Sequence, residues 1–225
     1  MIVLATPDTP LGPTDVRFNT IAGVPTHYST VVGQRGNQTY FQCDQAFYDT
    51  LTTCLNELWS VCRYGRATTL TSLGFYVNKP GYHGLGRACD IASLWWPTYS
   101  LWTGNYPTQR AFYLGVEAVL HRHLVNVLGY LYNAAHQDHW HIDNASAPAF
   151  SSSSSARVKF HQAALRYIHN QRGSDGAEIS IDGDYGTNSQ YATSQVLSRL
   201  GIPGSITTPS TWREYLRRTA LLGIG

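Results

Sequence analysis

The sequence predicts an α+β protein: a small antiparallel sheet flanked by helices, followed by a small three-helix C-terminal domain. Three observations carry this expectation. Apolar residues recur at three- and four-residue steps over long runs, short alternating β-branched runs lie between them, and five serines, Ser151 to Ser155, separate two patterned regions. A length of 225 residues with 43% hydrophobic content suits one medium domain with a small companion and argues against wholesale disorder.

Residues 1–38 are rich in Pro, Thr and Gly, with strand-like runs such as Val16-Arg17-Phe18, and read as an irregular N-terminal arm laid over the main domain. Over 42–63, Phe47, Leu51, Cys54, Leu55, Leu58, Trp59 and Cys62 form one apolar stripe, which predicts an amphipathic helix ended near Gly65. The runs 68–77 and 88–94 predict strands. A long helix is expected over 109–131, from Phe112, Val116, Leu120, Leu124 and Leu128, and a short strand over 139–143. The serine tract at 151–155 reads as a flexible linker between a domain at 1–150 and another at 156–225. In the second, helices are expected over 158–169, over 189–200 and after Thr211, with a tight turn at Ile181-Asp182-Gly183-Asp184-Tyr185-Gly186.

The net charge is +2, too mild for a protein that coats nucleic acid. No stretch approaches the roughly 18 apolar residues of a membrane span, so no membrane insertion is expected. The opening Met1-Ile2-Val3-Leu4-Ala5-Thr6-Pro7-Asp8 has no basic segment and no long apolar run. No secretory signal is expected, so the chain would be made in a cytoplasm and released by another system. Only 13% of residues are charged, against 15 Tyr, 6 Trp and 9 His. Such a surface suits a neutral, hydroxyl-rich polymer, and the His surplus points to metal ligands. Trp95, Trp96, Tyr99, Trp102 and Tyr106 either line a groove for that polymer or fill a large aromatic core. Residues 156–225 carry eight Lys and Arg against five Asp and Glu, a mildly basic balance. Cys43, Cys54, Cys62 and Cys89 contain no C-x-x-C pair, which argues against a zinc ribbon and leaves disulfides and buried thiols both open.

The chemistry concentrates in two segments. The first is His83-Gly84-Leu85-Gly86-Arg87-Ala88-Cys89-Asp90-Ile91, and the second is His136-Gln137-Asp138-His139-Trp140-His141-Ile142-Asp143. Hydrolytic zinc takes three ligands from His and Asp or Glu and leaves a fourth position for water. His83, Asp90 and His141 supply that set. Residues two apart on a strand share a face, so His139 and His141 would enter one cleft with Trp140 behind them. A metal ion lowers the pKa of its water, Asp138 is a candidate base for the proton, and His139 would stabilise the oxyanion. His136 competes with Asp138 for the role of base. Asp143 reads as a turn cap. His121 and His123, on the expected long helix, point to different faces and read as structural. A polysaccharide hydrolase needs paired acids, and Glu57 and Glu117, the only Glu residues before the serines, both fall in expected helices.

These two segments resemble the signature of the zinc peptidases that include D-Ala-D-Ala carboxypeptidases, phage L-alanyl-D-glutamate endopeptidases and the hedgehog signalling fold. The extensin-like branch is especially similar, with its H-x-x-G-x-A-x-D-I followed by a D/H-rich H-x-H. The likeness covers 41–143 and implies zinc on His83, Asp90 and His141, with Asp138 as base and His139 as second catalytic residue. Gly86 and Ala88 would let the ligand loop pack close to the sheet. Relatives commonly carry an Arg after a Gly in the preceding strand, where it clamps a substrate carboxylate. Here Gly74-Phe75-Tyr76-Val77-Asn78-Lys79 has none. Lys79, Arg87 or Arg66 are the available substitutes, and an endopeptidase is favoured over a carboxypeptidase.

The C-terminal region resembles the three-helix peptidoglycan-binding repeat, through Val158 to Leu165, Asp182-Gly183-Asp184-Tyr185-Gly186-Thr187-Asn188-Ser189 and Thr211-Trp212-Arg213-Glu214-Tyr215-Leu216. Asp182, Tyr185 and Trp212 are its candidate wall contacts. Together the resemblances imply a zinc-dependent (Zn2+) peptidase acting on bacterial peptidoglycan, of the phage endolysin type; a monomer is expected. The alternative is a non-catalytic wall-binding or virion protein with a structural zinc site.

Overall fold

The computed structural model describes residues 15–225, and the chain enters on a strand. Strands β1 (Asp15–Phe18), β2 (Thr20–Ile21), β3 (Val24–Tyr28), β4 (Asn37–Gln38) and β5 (Phe41–Asp44) precede helix α1 (Gln45–Val61). Then follow β6 (Thr69–Gly74), β7 (Ala88–Trp95), β8 (Ser100–Trp102), α2 (Arg110–His123), β9 (Asn126–Leu128) and β10 (Trp140–Asp143). Three helices close the chain: α3 (Ser155–Tyr167), α4 (Thr187–Arg199) and α5 (Pro209–Ile224). The expected irregular arm is strand-bearing from Asp15 onward, since Val16-Arg17-Phe18 pairs with β5; its residues 1–14 lie outside the described residues.

The protein is a mixed α/β fold with five described helices and a multi-strand sheet. The main sheet runs β2-β3-β6-β7-β10-β9, with β4 on β3 and β8 on β7. It is larger than expected and not wholly antiparallel, because β3 and β6 pair in parallel. A parallel pair needs a crossover, and α1 lies in the connection between those strands. Asp44 caps α1 by accepting from the Phe47 N–H at 3.1 Å, and Phe47, Leu51, Cys54, Leu55, Leu58 and Trp59 form its buried face.

Helix α2 ends at His123, well short of residue 131. Leu124 and Leu128 keep helical spacing, but β-branched Val125 and Val127 favour strand, and β9 pairs with β10. Every residue of α2 from Phe112 to His121 is buried, as expected of a helix covered on all sides. Its outer cover is α5. A Cβ on Gly223 would stand 2.8 Å from the Gly115 Cα, so two glycines allow the close approach of these helices. The Arg63 N–H and guanidinium donate to the carbonyls of Ile224 and Gly223, at 2.7 and 2.9 Å.

One apolar core therefore runs from the sheet into the C-terminal helices. The serine tract, expected as a flexible tether, is a short turn whose Ser154 sits at the N-cap of α3. Arg157 fastens it, donating to the Val125 carbonyl at 2.7 Å and the Ala149 carbonyl at 2.6 Å. Trp212 is fully buried, packed on Phe150, His161 and Tyr215, so it is a core residue and not a wall contact. Asp182 closes its turn: its Oδ1 accepts from Gln162 Nε2 at 2.8 Å and from the Asp184 N–H at 2.9 Å. Tyr185 is half-buried and borders a cavity of about 470 Å³ together with Gln190, Thr193, Ser198 and Ser205. All four cysteines are free and buried.

Beneath the C-terminal helices, Glu117 and His121 lie buried with 4.0 Å between Oε1 and Nε2. Burial pushes the Glu117 carboxyl up to about 8 from an ordinary 4.5. Its folded-state value is raised, so its stabilising contribution is full below about pH 4.5 and is lost as pH rises through about 8. Glu117→Gln is expected to flatten that fall, giving a higher melting temperature than wild type at pH 9 and little difference at pH 5. Thermal unfolding across this pH range measures it.

Candidate metal centre

Antiparallel register places His141 on β10 directly beside Asp90 on β7, both facing away from the core that Trp140 and Ile91 enter. His83 arrives from the loop between β6 and β7. That loop lies tight against β5, where the Asp44 N–H donates to the Gly86 carbonyl at 2.9 Å. Gly86 has φ +67°, and a Cβ there would stand 2.8 Å from the Asp44 nitrogen, so the position requires glycine.

Three electron-pair donors converge. His83 Nε2 lies 3.2 Å from Asp90 Oδ1 and 3.2 Å from His141 Nδ1, and His141 Nδ1 lies 2.9 Å from Asp90 Oδ1. His83 Nδ1 donates to the Phe75 carbonyl at 2.6 Å, which fixes the tautomer and leaves Nε2 as a lone pair aimed into the cluster. Facing lone pairs repel unless protons or a cation lie between them, so this donor set fits a metal ion. The His83, Asp90 and His141 group can hold one.

His141 has a carboxylate behind it: its Nε2 lies 3.5 Å from Asp143 Oδ2. Asp143 is itself held by both Asn126 Nδ2 contacts, at 3.1 and 3.0 Å, and by the Ala145 N–H at 3.0 Å. Burial alone would raise the Asp90 carboxyl, but the His141 hydrogen bond and the neighbouring His83 and His139 outweigh it and hold Asp90 well below the carboxylate range. Burial opposes charge on His141, yet Asp143 and Asp90 raise it to about 9. Asp143→Ala is expected to weaken metal affinity about 10- to 100-fold, as loss of such an orienting partner does, measured by competition with a chromogenic chelator.

The remaining candidates surround this centre. His139 Nε2 lies 3.7 Å from Asp90 Oδ1, and His139 Nδ1 donates to Asp138 Oδ1 at 2.6 Å. His136 stands outside them, its ring 5.1 Å from that of His139 and its Nδ1 2.7 Å from Asn133 Oδ1. Burial first, then His139 and His141, push the His136 pKa down. The Arg87 guanidinium donates to the side chain and carbonyl of Asn144, at 3.1 and 3.2 Å. Lys79 is exposed on the loop ahead of His83, and the Arg66 side chain packs over Gly23. His121 is buried beneath Phe160 and Trp212, and His123 Nε2 lies 2.6 Å from Glu57 Oε2, so both serve the fold.

Asp143, expected as a turn cap, does accept from the Ala145 N–H, but its place behind His141 was not anticipated, nor were Asn126 and the Phe75 carbonyl. A signal for that second role existed, since Asp143 lies two residues beyond His141 on the same strand face. Asn126 was concealed inside the over-extended helix, and a backbone carbonyl has no sequence signature. Comparison with family models, curated proteins and solved structures finds no match for the chain.

Proposed function

We propose that the protein is a zinc-dependent peptidoglycan peptidase that cleaves peptide bonds next to D-amino acids, of the phage endolysin type. The observation that carries this reading is the convergence of His83, Asp90 and His141 beside the Asp138–His139 pair. Zinc is favoured because two imidazoles and one carboxylate, with a fourth position left for water, are a usual donor set of hydrolytic zinc. The donor separations of 2.9–3.2 Å are short enough for one ion to bridge all three. The sequence resemblance supports the wall as substrate and an endopeptidase over a carboxypeptidase.

When bound, zinc supplies Lewis-acid chemistry, acidifying water and polarising the scissile carbonyl. The chain's own residues do the rest. Asp138 keeps one carboxylate oxygen free of the His139 bond, and that oxygen takes the proton of the attacking water and returns it to the leaving amine. His139, held by Asp138 at Nδ1, stabilises the developing oxyanion through an Nε2 proton, which it carries only when the ring is doubly protonated. Asp143 and the Phe75 carbonyl hold the two ligand imidazoles in orientation. The C-terminal helices, taken as the wall-binding part, would hold the site against the polymer through direct packing and so raise the local substrate concentration. A cytoplasmic origin with later release to the wall completes the proposal.

Release of new amino groups from purified cell walls tests it. Wild type with zinc is expected to release them without new reducing ends, and Asp138→Ala to be slower by about 100-fold or more. Absence of amino-group release from several wall types would overturn the reading.

A further inference from the structure

The sheet face that bears the metal centre continues beyond it. The β6–β7 register shifts between Thr71 and Ser72, where Ile91 and Ala92 share one partner. This bulge puts Asp90, Ser93 and Trp95 on one face while Ile91 and Leu94 stay in the core; Asp90 and Trp95 are partly exposed at its two ends, and Ser93 between them is buried. Register carries the face sideways, with Ser93 flanked by Thr71 on β6 and Trp102 on β8.

Residues 29–36 lie across this face and are fastened to it. Thr71 Oγ1 donates to the Arg35 carbonyl at 2.9 Å, and His27 Nδ1 to the Gly36 carbonyl at 3.0 Å. Gly36 has φ +70°, and a Cβ there would meet the Tyr28 carbonyl oxygen at 2.0 Å, so the close approach depends on glycine. The segment sets the Arg35 guanidinium over the Trp95 ring, 5.1 Å from its centroid. Trp95 is itself locked, its Nε1 donating to Ser93 Oγ at 2.9 Å and Thr71 Oγ1 at 3.1 Å. Among the described residues Arg35 has no carboxylate partner. Its side chain borders a cavity of about 240 Å³ shared with Trp95, Pro97, Thr98 and Ser100.

We propose that Arg35, stacked on Trp95, is a carboxylate-binding subsite that anchors an acidic, extended peptide whose scissile bond lies at the metal centre. The inference rests on the peptidase reading above. A guanidinium presents a planar fork that matches a carboxylate bidentately, and stacking on an indole fixes its plane in advance. Strand geometry separates Asp90 from Trp95 by roughly 15 Å, the span of four or five extended residues. The subsite therefore reads a carboxylate several residues from the cleaved bond. That fits an endopeptidase, whose substrate continues past the site on both sides.

The test is calorimetric binding to the metal-free, full-length protein, so that no turnover intervenes. The probes are soluble muropeptides with free carboxylates and the same muropeptides after carbodiimide amidation. Wild type is expected to bind the free-acid form about tenfold more tightly. Arg35→Gln is expected to lose that preference, and Arg35→Lys to keep part of it. Equal wild-type affinity for the two forms, binding of neither, or an unchanged preference in Arg35→Gln would overturn the subsite. Wall cleavage by the zinc-loaded protein separates the two claims. A carboxylate preference without cleavage keeps the subsite and removes the peptidase reading, and cleavage without the preference does the reverse.

Discussion

His83→Ala is expected to bind zinc more than about 100-fold more weakly than wild type and to lose wall hydrolysis with it. The magnitude follows from comparison, since removing a partner that merely orients a ligand costs about 10- to 100-fold, and His83 supplies a donor atom. With Nδ1 committed to the Phe75 carbonyl, His83 has one lone pair, and it points at Asp90 and His141. Its removal leaves two ligands, too few to fix an ion or its geometry. The pH dependence has a definite sign. His141 is raised to about 9 in the metal-free site, so metal uptake at pH 7 must displace its proton. Apparent affinity should therefore rise with pH and level off near 9. Equilibrium dialysis at pH 6, 7 and 8 checks both the variant and the slope, and an affinity independent of pH would contradict the account.

Trp212→Ala is expected to destabilise the protein by about 3–5 kcal/mol, the range for truncating a large buried aromatic. Its ring contacts His121 on α2, Phe160 and His161 on α3, and Phe150 between sheet and helices. The lost packing therefore belongs to the sheet-bearing and helical parts together. One calorimetric transition should shift downward by roughly 10 °C as a unit. Two transitions, of which only one moves, would mean that the parts unfold independently despite their shared core. A wall-facing Trp212 would have left stability nearly unmoved, so this variant also distinguishes the expected role from the observed one.

The candidate site was legible because its chemistry is local. Seven positions separate His83 from Asp90, and the His139–His141 spacing already puts both histidines on one strand face. The core face of α1 was legible for the same reason, the first six residues of its apolar stripe forming the buried face and the seventh, Cys62, lying just past the helix end. What escaped depended on partners distant in sequence. Leu124 and Leu128 satisfy helical spacing, yet pairing with β10 draws the chain into β9. Five serines carry no apolar signal, whereas the Arg157 and Arg63 contacts, the Gly115–Gly223 approach and the Trp212 packing join the two parts across that junction. Trp212 stood in a motif that suggested ligand contact, whereas burial in the fold gives it a packing role. Of the five aromatics between the metal segments, Trp96 and Tyr106 are core, while Trp95 joins the open face through Arg35.

The central claim is that an ion held by His83, Asp90 and His141 drives amide hydrolysis. Zinc titration of chelated wild-type protein, with bound metal and amino groups released from cell walls followed together, tests it most directly. The account predicts that hydrolysis is absent without metal, rises in proportion to bound zinc and saturates at about one ion per chain. Hydrolysis that persists after complete chelation, or zinc that binds at this centre without restoring any amide cleavage, would contradict it.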